Sequence, residues 1–426
     1  MKTRMKWLIA VVAIAVVAIA LAVALCSSDI GRGRFFRDQT YHFQTLRVLG
    51  DAPFDGADIS ETLETVKKIH GGDEQGWCAA WSATGDRVLA LAESTRDPLT
   101  KGKAYLHAHT YYRTAEFLLP PADPKRKILT RKNVAAFHEG LKYLNVKYER
   151  MYAPYGQGYR LPMNFYPADA KIRRNTLLVF LGGYDSTLEE LYFILVKDAH
   201  DHRYNVLTFD GPGQGSVLRE QNLPFTPEWE RPTSAVVDTF LKAHPRPEKM
   251  VLIGLSMGGY LAPRAAAFDN RFDGVVALDA VFDMGATASR YVPSFAFRLK
   301  ARGMEGLVDT FASIKASSSP GVRWAMANGE WTLGKMHALD VVEEFKKYSL
   351  AGVAQRIKGD VLLFAGTEDH FIDIGQVKQM QDALTSARSV KTVIYDRQSG
   401  GAEHCQLGAD TLWHAALFDW LAEKFN

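Results

Sequence analysis

The chain has little cysteine, no strong charge of either sign, no internal repeat and no complete nucleotide motif, and each absence narrows what it does. Of 426 residues only three are cysteine. Cys26, Cys78 and Cys405 lie far apart with no paired spacing, so neither a disulfide framework nor a zinc site is indicated. A net charge of +3 comes without a basic stripe interleaved with aromatics, and nucleic acid is not expected as a partner. Asp210-Gly-Pro-Gly-Gln-Gly215 has the glycines of a phosphate loop, but it lacks the lysine of a P-loop and the spacing of a dinucleotide fingerprint. It reads as a tight turn after a strand. With no His/Cys/carboxylate cluster at metal-ligand spacing, no metal and no cofactor are expected. The missing repeats argue against a propeller or solenoid.

What is present is an ordinary globular composition, 47% hydrophobic and 23% charged, in a chain long enough for one large core and a smaller accessory domain. The exception is Trp7 to Cys26, an unbroken apolar run preceded by Lys2, Arg4 and Lys6. A run of about 20 apolar residues spans a bilayer as a helix. Residues 1–30 are therefore expected to form a single-pass N-terminal membrane anchor, with the membrane as a partner and the catalytic domain on the extracytoplasmic side. A cleaved signal peptide is the rival reading, although its apolar region is usually only about 7–15 residues and ends at a small-x-small site. Leu25 also departs from the small residue expected before a lipidated Cys26.

From 31 to 145 the apolar residues recur at three and four, which predicts helices over 59–69, 77–92, 99–119 and 134–144, punctuated by Pro120-Pro-Ala-Asp-Pro124. This segment is expected to be a helical cap domain. From 146 to 426 the pattern becomes extended: strands are expected over 146–153, 159–166, 176–181, 205–209, 250–255, 272–278, 360–364 and 390–395. Short continuous apolar strands with helices between them predict an α/β catalytic domain, a mostly parallel eight-stranded sheet with helices on both faces. The interval at about 283–350 is too long for a plain crossover and reads as a helical lid insertion, broken at Ala316-Ser-Ser-Ser-Pro-Gly321.

The chemistry centres on Val251-Leu-Ile-Gly-Leu-Ser-Met-Gly-Gly-Tyr260, a strand that breaks into Gly-x-Ser-x-Gly and reopens as a helix. A serine hydroxyl attacks only if held proud of the sheet on a tight, strained turn, and Gly254 and Gly258 remove side chains that would collide there. Ser256 is the candidate nucleophile. It needs a base, and the base needs an acid to set its tautomer, in the chain order serine, acid, histidine. The turn after the strand at 361 offers Glu368 and Asp369, and Asp369 is preferred. Among 12 histidines, His404 lies between the last strand and the last helix and is the candidate base. His370 is expected to be structural or substrate-lining, and Cys405 to be packing. Oxyanion-hole N–H groups are expected from Met257 and from Tyr184, with Gly183 as the fallback. Ser186 and Glu189 read as a helix capping box. For Asp185, chemistry and a turn or capping role are evenly balanced.

Gly182-Gly-Tyr-Asp-Ser-Thr-Leu-Glu-Glu190, Phe209-Asp-Gly-Pro-Gly-Gln-Gly215, Gly254-Leu-Ser-Met-Gly-Gly259, Asn328-Gly-Glu-Trp-Thr-Leu-Gly334, Glu368-Asp-His-Phe371 and Glu403-His-Cys-Gln-Leu-Gly408 together resemble the α/β-hydrolases related to 2,6-dihydropseudooxynicotine hydrolase. Fungal polyketide-shortening hydrolases and the fermentation-respiration switch esterase are similar. The resemblance covers about Val146 to Asn426 and implies an α/β-hydrolase fold with an N-terminal cap, acting on a small-molecule carbonyl substrate: a carboxylic ester, or a carbon–carbon bond beside a ketone. It also makes Asp185 the position of a possible assisting acid, where the family pattern leads one to expect Glu. Trp324 and Trp331 are candidates for the pocket lining. The competing functions are a serine peptidase of prolyl-oligopeptidase type and a catalytically silent hydrolase-fold binding module.

Overall fold

A computed structural model describes residues 34–169 and 174–425. The first part is helical: Gln39–Gly50 (α1), Ile59–Val66 (α2), Glu74–Ser94 (α3), Pro98–Glu116 (α4) and Pro124–Tyr143 (α5). Asp38, Asp73, Asp97 and Asp123 precede four of these helices, and each side chain accepts a first-turn backbone N–H. Pro98 and Pro124 sit in the first turn, where their missing N–H would have had no helical partner anyway. That pairing is why α5 begins at Pro124, well before the start its apolar spacing suggests. The layer packs on aromatics: Tyr41, Trp77, Trp81 and Tyr111 are fully buried. Tyr41 meets Trp77 edge-on at 5.0 Å and Trp81 stacks on Tyr111 at 5.6 Å, the arrangements that ring quadrupoles favour.

The sheet follows: Glu149–Tyr155 (β1), Tyr159–Tyr166 (β2), Thr176–Leu181 (β3), Asn205–Phe209 (β4), Lys249–Leu255 (β5), Gly274–Leu278 (β6), Asp360–Gly366 (β7) and Ser389–Tyr395 (β8). All eight strand expectations correspond to an observed strand. The order is β1-β2-β4-β3-β5-β6-β7-β8, antiparallel at β1–β2 and β2–β4 and parallel across the rest. Strand periodicity sends alternate residues to opposite faces. In β3, Leu177, Val179 and Leu181 join one apolar layer while Leu178 and Phe180 join the other. Helices cover both layers: Lys197–Asp201 (α6), Gly215–Gln221 (α7), Glu230–Ala243 (α8) and Gly258–Ala266 (α9). Between β6 and β7 come Met284–Ser289 (α10), Ser294–Lys300 (α11), Glu305–Ser318 (α12), Pro320–Leu333 (α13) and Ala338–Phe345 (α14), and the chain closes with Gly375–Ala383 (α15) and Asp410–Phe425 (α16). The ends of this long β6–β7 connection are pinned together, since Asp283 bridges Ser349 and accepts a hydrogen bond from its hydroxyl at 3.1 Å.

Membrane attachment requires correction. Among the described residues no helix is long and apolar enough to cross a membrane. This overturns the expected partnership with the membrane and the extracytoplasmic placement of the catalytic part. The run from Trp7 to Cys26 lies outside the described residues.

The elbow glycines also differ in detail from expectation. A Cβ on Gly254 would overlap the Gly258 carbonyl, but one on Gly258 would meet the Gly182 oxygen at 3.1 Å, tight without overlap. The second severe contact belongs to Gly259, whose Cβ would overlap the Asp279 carbonyl. Gly259→Ala should therefore push α9 off β6 and lower stability by about 1–3 kcal/mol, the usual cost of overpacking. Urea denaturation should show a larger loss for Gly259→Ala than for Gly258→Ala.

Candidate active site

Ser256 directly follows β5 with φ of 58°, a left-handed conformation that side-chain-bearing residues rarely adopt. It is held there by its own N–H, which donates to the Leu278 carbonyl, and by its carbonyl, which accepts from the Gly259 N–H at 2.7 Å. The strain is local and it aims the hydroxyl away from the sheet.

His404 lies between β8 and α16, and its side chain is 5% exposed. Its Nδ1 is 2.7 Å from Asp369 Oδ2 and its Nε2 is 2.7 Å from Ser256 Oγ. A carboxylate only accepts, so Nδ1 carries the proton and Nε2 accepts the serine hydroxyl hydrogen. Asp369, just past β7, is fixed in turn by the N–H groups of Phe371 and Ile372, which donate to its Oδ1 at 2.7 and 2.9 Å. Burial works against its charge, but His404 outweighs this and holds the Asp369 carboxyl down at about 2. The structure thus joins Ser256, His404 and Asp369 in one hydrogen-bonded line. Glu368 points elsewhere, to Arg397 at 2.9 Å. His370 stands 3.2 Å from Glu403 with its ring against Phe371 and Phe43. Burial pushes the Cys405 thiol up to about 12, which leaves it an inert packing group.

Sequence reasoning missed Asp279. This residue follows β6, is 1% exposed, and brings its Oδ2 to 3.0 Å from His404 Nδ1. The same carboxyl accepts the Cys405 N–H at 2.7 Å and the Gln406 side-chain N–H at 3.0 Å. Two carboxyl groups therefore converge on one imidazole N–H. Burial, and then the charge of Asp369, push Asp279 up to about 6. Burial disfavours the His404 cation, yet the Asp369 charge and the hydrogen bonds His404 donates to both acids raise its pKa well above the ordinary value. The signal available in advance was position alone: a carboxylate immediately beyond a parallel strand, at the edge where α/β sheets bind ligands.

The loop after β3, expected to supply the oxyanion donors, has a brace that the sequence did not reveal. Gln214, inside the glycine-rich turn after β4, donates through Nε2 to the carbonyls of Gly182 and Gly183 at 2.7 and 2.9 Å. The turn is thus a buttress for the loop. The Gly183 N–H donates to Ser186 Oγ at 2.9 Å, so the fallback oxyanion donor is already engaged. Those of Met257 and Tyr184 donate to no acceptor among the described residues. The expected Ser186–Glu189 capping box does not form: Ser186 serves Gly183, and the next helical segment is the wide turn Tyr192–Val196 leading into α6.

Asp185 faces the N-terminal helices. Arg47 of α1 donates to it at 3.0 Å and also to Glu190, and Arg113 of α4 donates to Glu190 at 2.9 Å and to Gln44 at 3.0 Å. Burial opposes the Asp185 charge, but Arg47 and Arg113 keep its pKa low. On the other side of this loop a cavity opens toward α5, α7 and α13, with Trp324 and Trp331 in its lining.

Residues 178–408 match the alpha/beta hydrolase family, and the chain belongs to that family. It is 31% identical to hydrolase acrC of Aspergillus aculeatus, with 92% of this chain and 98% of that protein covered. It is 30% identical to 20-hydroxy-prefusarin hydrolase FUS2 of Gibberella moniliformis, again with 92% and 98% covered. The crystal structure of 2,6-dihydroxy-pseudo-oxynicotine hydrolase superposes with a TM-score of 0.69 at 19% identity, covering 88% of this chain and 95% of that one, which is a likeness of fold. The resemblance read from the motifs holds, and the protein is a hydrolase enzyme with the α/β-hydrolase fold.

Removing one partner from a buried ion pair strands the other charge, at a cost of about 3–5 kcal/mol. Arg47→Met strips a cation from both Asp185 and Glu190, and chemical denaturation should show a loss of that size.

Proposed function

We propose that this hydrolase works through an acyl-enzyme formed on Ser256. The observation that carries the proposal is the continuous line Ser256–His404–Asp369, 2.7 Å at each step. As Ser256 Oγ attacks a substrate carbonyl carbon, its proton passes to His404 Nε2, and the imidazolium is stabilised by Asp369 with Asp279 beside it. The new oxyanion is received by the free N–H groups of Met257 and Tyr184, a contribution of about 3–4 kcal/mol per donor in comparable sites. His404 then gives the proton to the leaving group. An ester releases an alcohol; a carbon–carbon bond beside a ketone releases a carbanion that is protonated on carbon. Water, deprotonated by His404, frees the acid and restores the serine.

The substrate proposed is a small carbonyl compound, an ester or a ketone cleaved at its neighbouring carbon–carbon bond. The name of the relative FUS2, a 20-hydroxy-prefusarin hydrolase, agrees with a small-molecule substrate. The helices of 31–145 serve as a cap and those of 283–350 as a lid. Asp185, ionised against Arg47, acts by fixing the oxyanion loop and not as a proton-donating acid.

A fluorophosphonate probe should label the intact protein and leave Ser256→Ala unlabelled; equal labelling of both defeats the serine mechanism. Short-chain aryl esters and β-diketones then separate ester from carbon–carbon cleavage, while turnover of peptides alone would favour a peptidase. Asp369→Asn should lower kcat by about 10⁴-fold. The base must be neutral to act, so activity falls as pH drops through the raised His404 pKa. Asp279→Asn removes one negative neighbour and should move that acid limb to lower pH by about one unit, the equivalent of about 1.4 kcal/mol, as read from the pH profile of kcat/KM.

A further inference from the structure

The base stands at the head of a strained stretch of chain. Cys405 and Gln406, directly after His404, adopt left-handed φ angles of 56° and 52°, a costly conformation for residues with side chains and one that persists only where the surroundings hold it. On the C-terminal side of the base the holder is Asp279, whose carboxyl takes the Cys405 N–H and the Gln406 side chain.

On the N-terminal side stands Glu403. Its carboxylate lies 3.2 Å from His370 Nδ1, and since a carboxylate only accepts, Nδ1 donates. The place of the two residues in the chain gives this bond its meaning. Glu403 immediately precedes the base His404, and His370 immediately follows the acid Asp369. One side-chain hydrogen bond thus joins the neighbours of the two groups whose own 2.7 Å contact orients the imidazole.

The roots of the two loops are fixed by backbone. Glu368 donates its N–H to the Ala402 carbonyl at 2.9 Å, and a Cβ on Gly366 would overlap that same carbonyl. Further out the loops meet through side chains: His370 on Glu403, and the Phe371 ring edge-on to that of His404 at 5.0 Å. Helix α1 closes over them. Gln39 Nε2 donates to the other Glu403 oxygen at 3.5 Å, and one turn later the Phe43 ring lies 4.8 Å from that of His370 and 6.0 Å from that of His404. Burial opposes the Glu403 charge, but His370 holds the carboxyl below its ordinary range. With side chains 19% and 28% exposed, the pair is partly shielded from water, which strengthens a charge-assisted bond.

We propose that His370 and Glu403 are positioning residues: their hydrogen bond ties the loop that carries the base to the loop that carries the acid and so keeps His404 aligned on Asp369, with Gln39 and Phe43 of α1 holding the pair in place. The consequence for rate rests on the Ser256 mechanism proposed above; the alignment of His404 does not.

Two readouts separate those parts. The downfield proton resonance of His404 Nδ1–H, assigned by its loss in His404→Gln, reports the bond to Asp369 without any turnover. Glu403→Leu and His370→Phe should displace or broaden it, whereas Glu403→Gln, whose Oε1 still accepts from His370, should leave it in place. The rate of fluorophosphonate labelling at Ser256, followed across pH, should fall at its plateau by about tenfold or more in Glu403→Leu and in His370→Phe, within the range of up to about a hundredfold that a displaced catalytic group costs. Glu403→Gln should retain the rate, and the double variant of Glu403→Leu with His370→Phe should lose no more than either single one, since both act through one bond. A purely structural pair would lower the denaturation midpoint while the folded variants keep both resonance and rate, and that result overturns the proposal. So do equal losses in Glu403→Gln and Glu403→Leu, which would make the charge responsible and not the bond, and losses that multiply in the double variant. His370→Phe, which keeps a ring against Phe43 and Phe371, carries the comparison if Glu403→Leu does not fold. If the resonance responds as stated while Ser256→Ala labels as well as the intact protein, the alignment stands and the serine mechanism alone fails.

Discussion

Parallel pairing in phase is the constraint on which the site depends. Leu181 of β3 pairs with Gly254 of β5, Leu255 pairs with Leu278 of β6, and Leu278 with Phe364 of β7. Because the strands run the same way, the residues that follow their last paired positions all emerge at one edge. Ser256 and Asp279 each follow directly on a paired strand end, Gly182 and Gly183 come just after β3, and Asp369 comes just after β7. No single loop could bring these groups together with comparable rigidity. The sheet supplies the precision, and the short segments beyond it supply the chemistry.

At that edge the electrostatics are set by exclusion of water. His404 and Asp279 are almost fully buried, so the ordinary preference of an acid for its charge and of an imidazole for neutrality are both open to reversal by neighbours. Asp369, with two backbone N–H donors on one oxygen and the imidazole on the other, retains its charge. Asp279, although hydrogen-bonded to the loop after His404, is pushed toward its neutral form. Two chemically identical side chains acquire different characters from their surroundings.

The strands were legible because their apolar runs are continuous and bounded, and the helical first third because its spacing is regular. Ser256, Asp369 and His404 were legible because each sits at a fixed place in the order of elements. Asp279 has the same placement but no motif around it, and only the pairing of β6 with β5 and β7 reveals what it faces. Arg47, Arg113, Arg126 and Arg219 look in the sequence like the solvated faces of helices. Their burial is created by packing between segments far apart in the chain. The Ser186–Glu189 pattern misled for the opposite reason: it is locally a perfect cap, but no helix begins there, and the hydroxyl is taken by Gly183. The apolar N-terminal run was read by length and hydropathy, and the structure provides no spanning helix among the described residues to support attachment.

Trp331 is held between a guanidinium from α5 and one from α7 while belonging to α13. The first helical layer, the sheet's own helices and the helices between β6 and β7 are thus riveted through a single indole. Drift in the amino-acid sequence of any one of the three partners is then felt by the other two, so the outer helices of this scaffold are free to diversify only as a correlated set, while the strand edge beneath them can stay as it is.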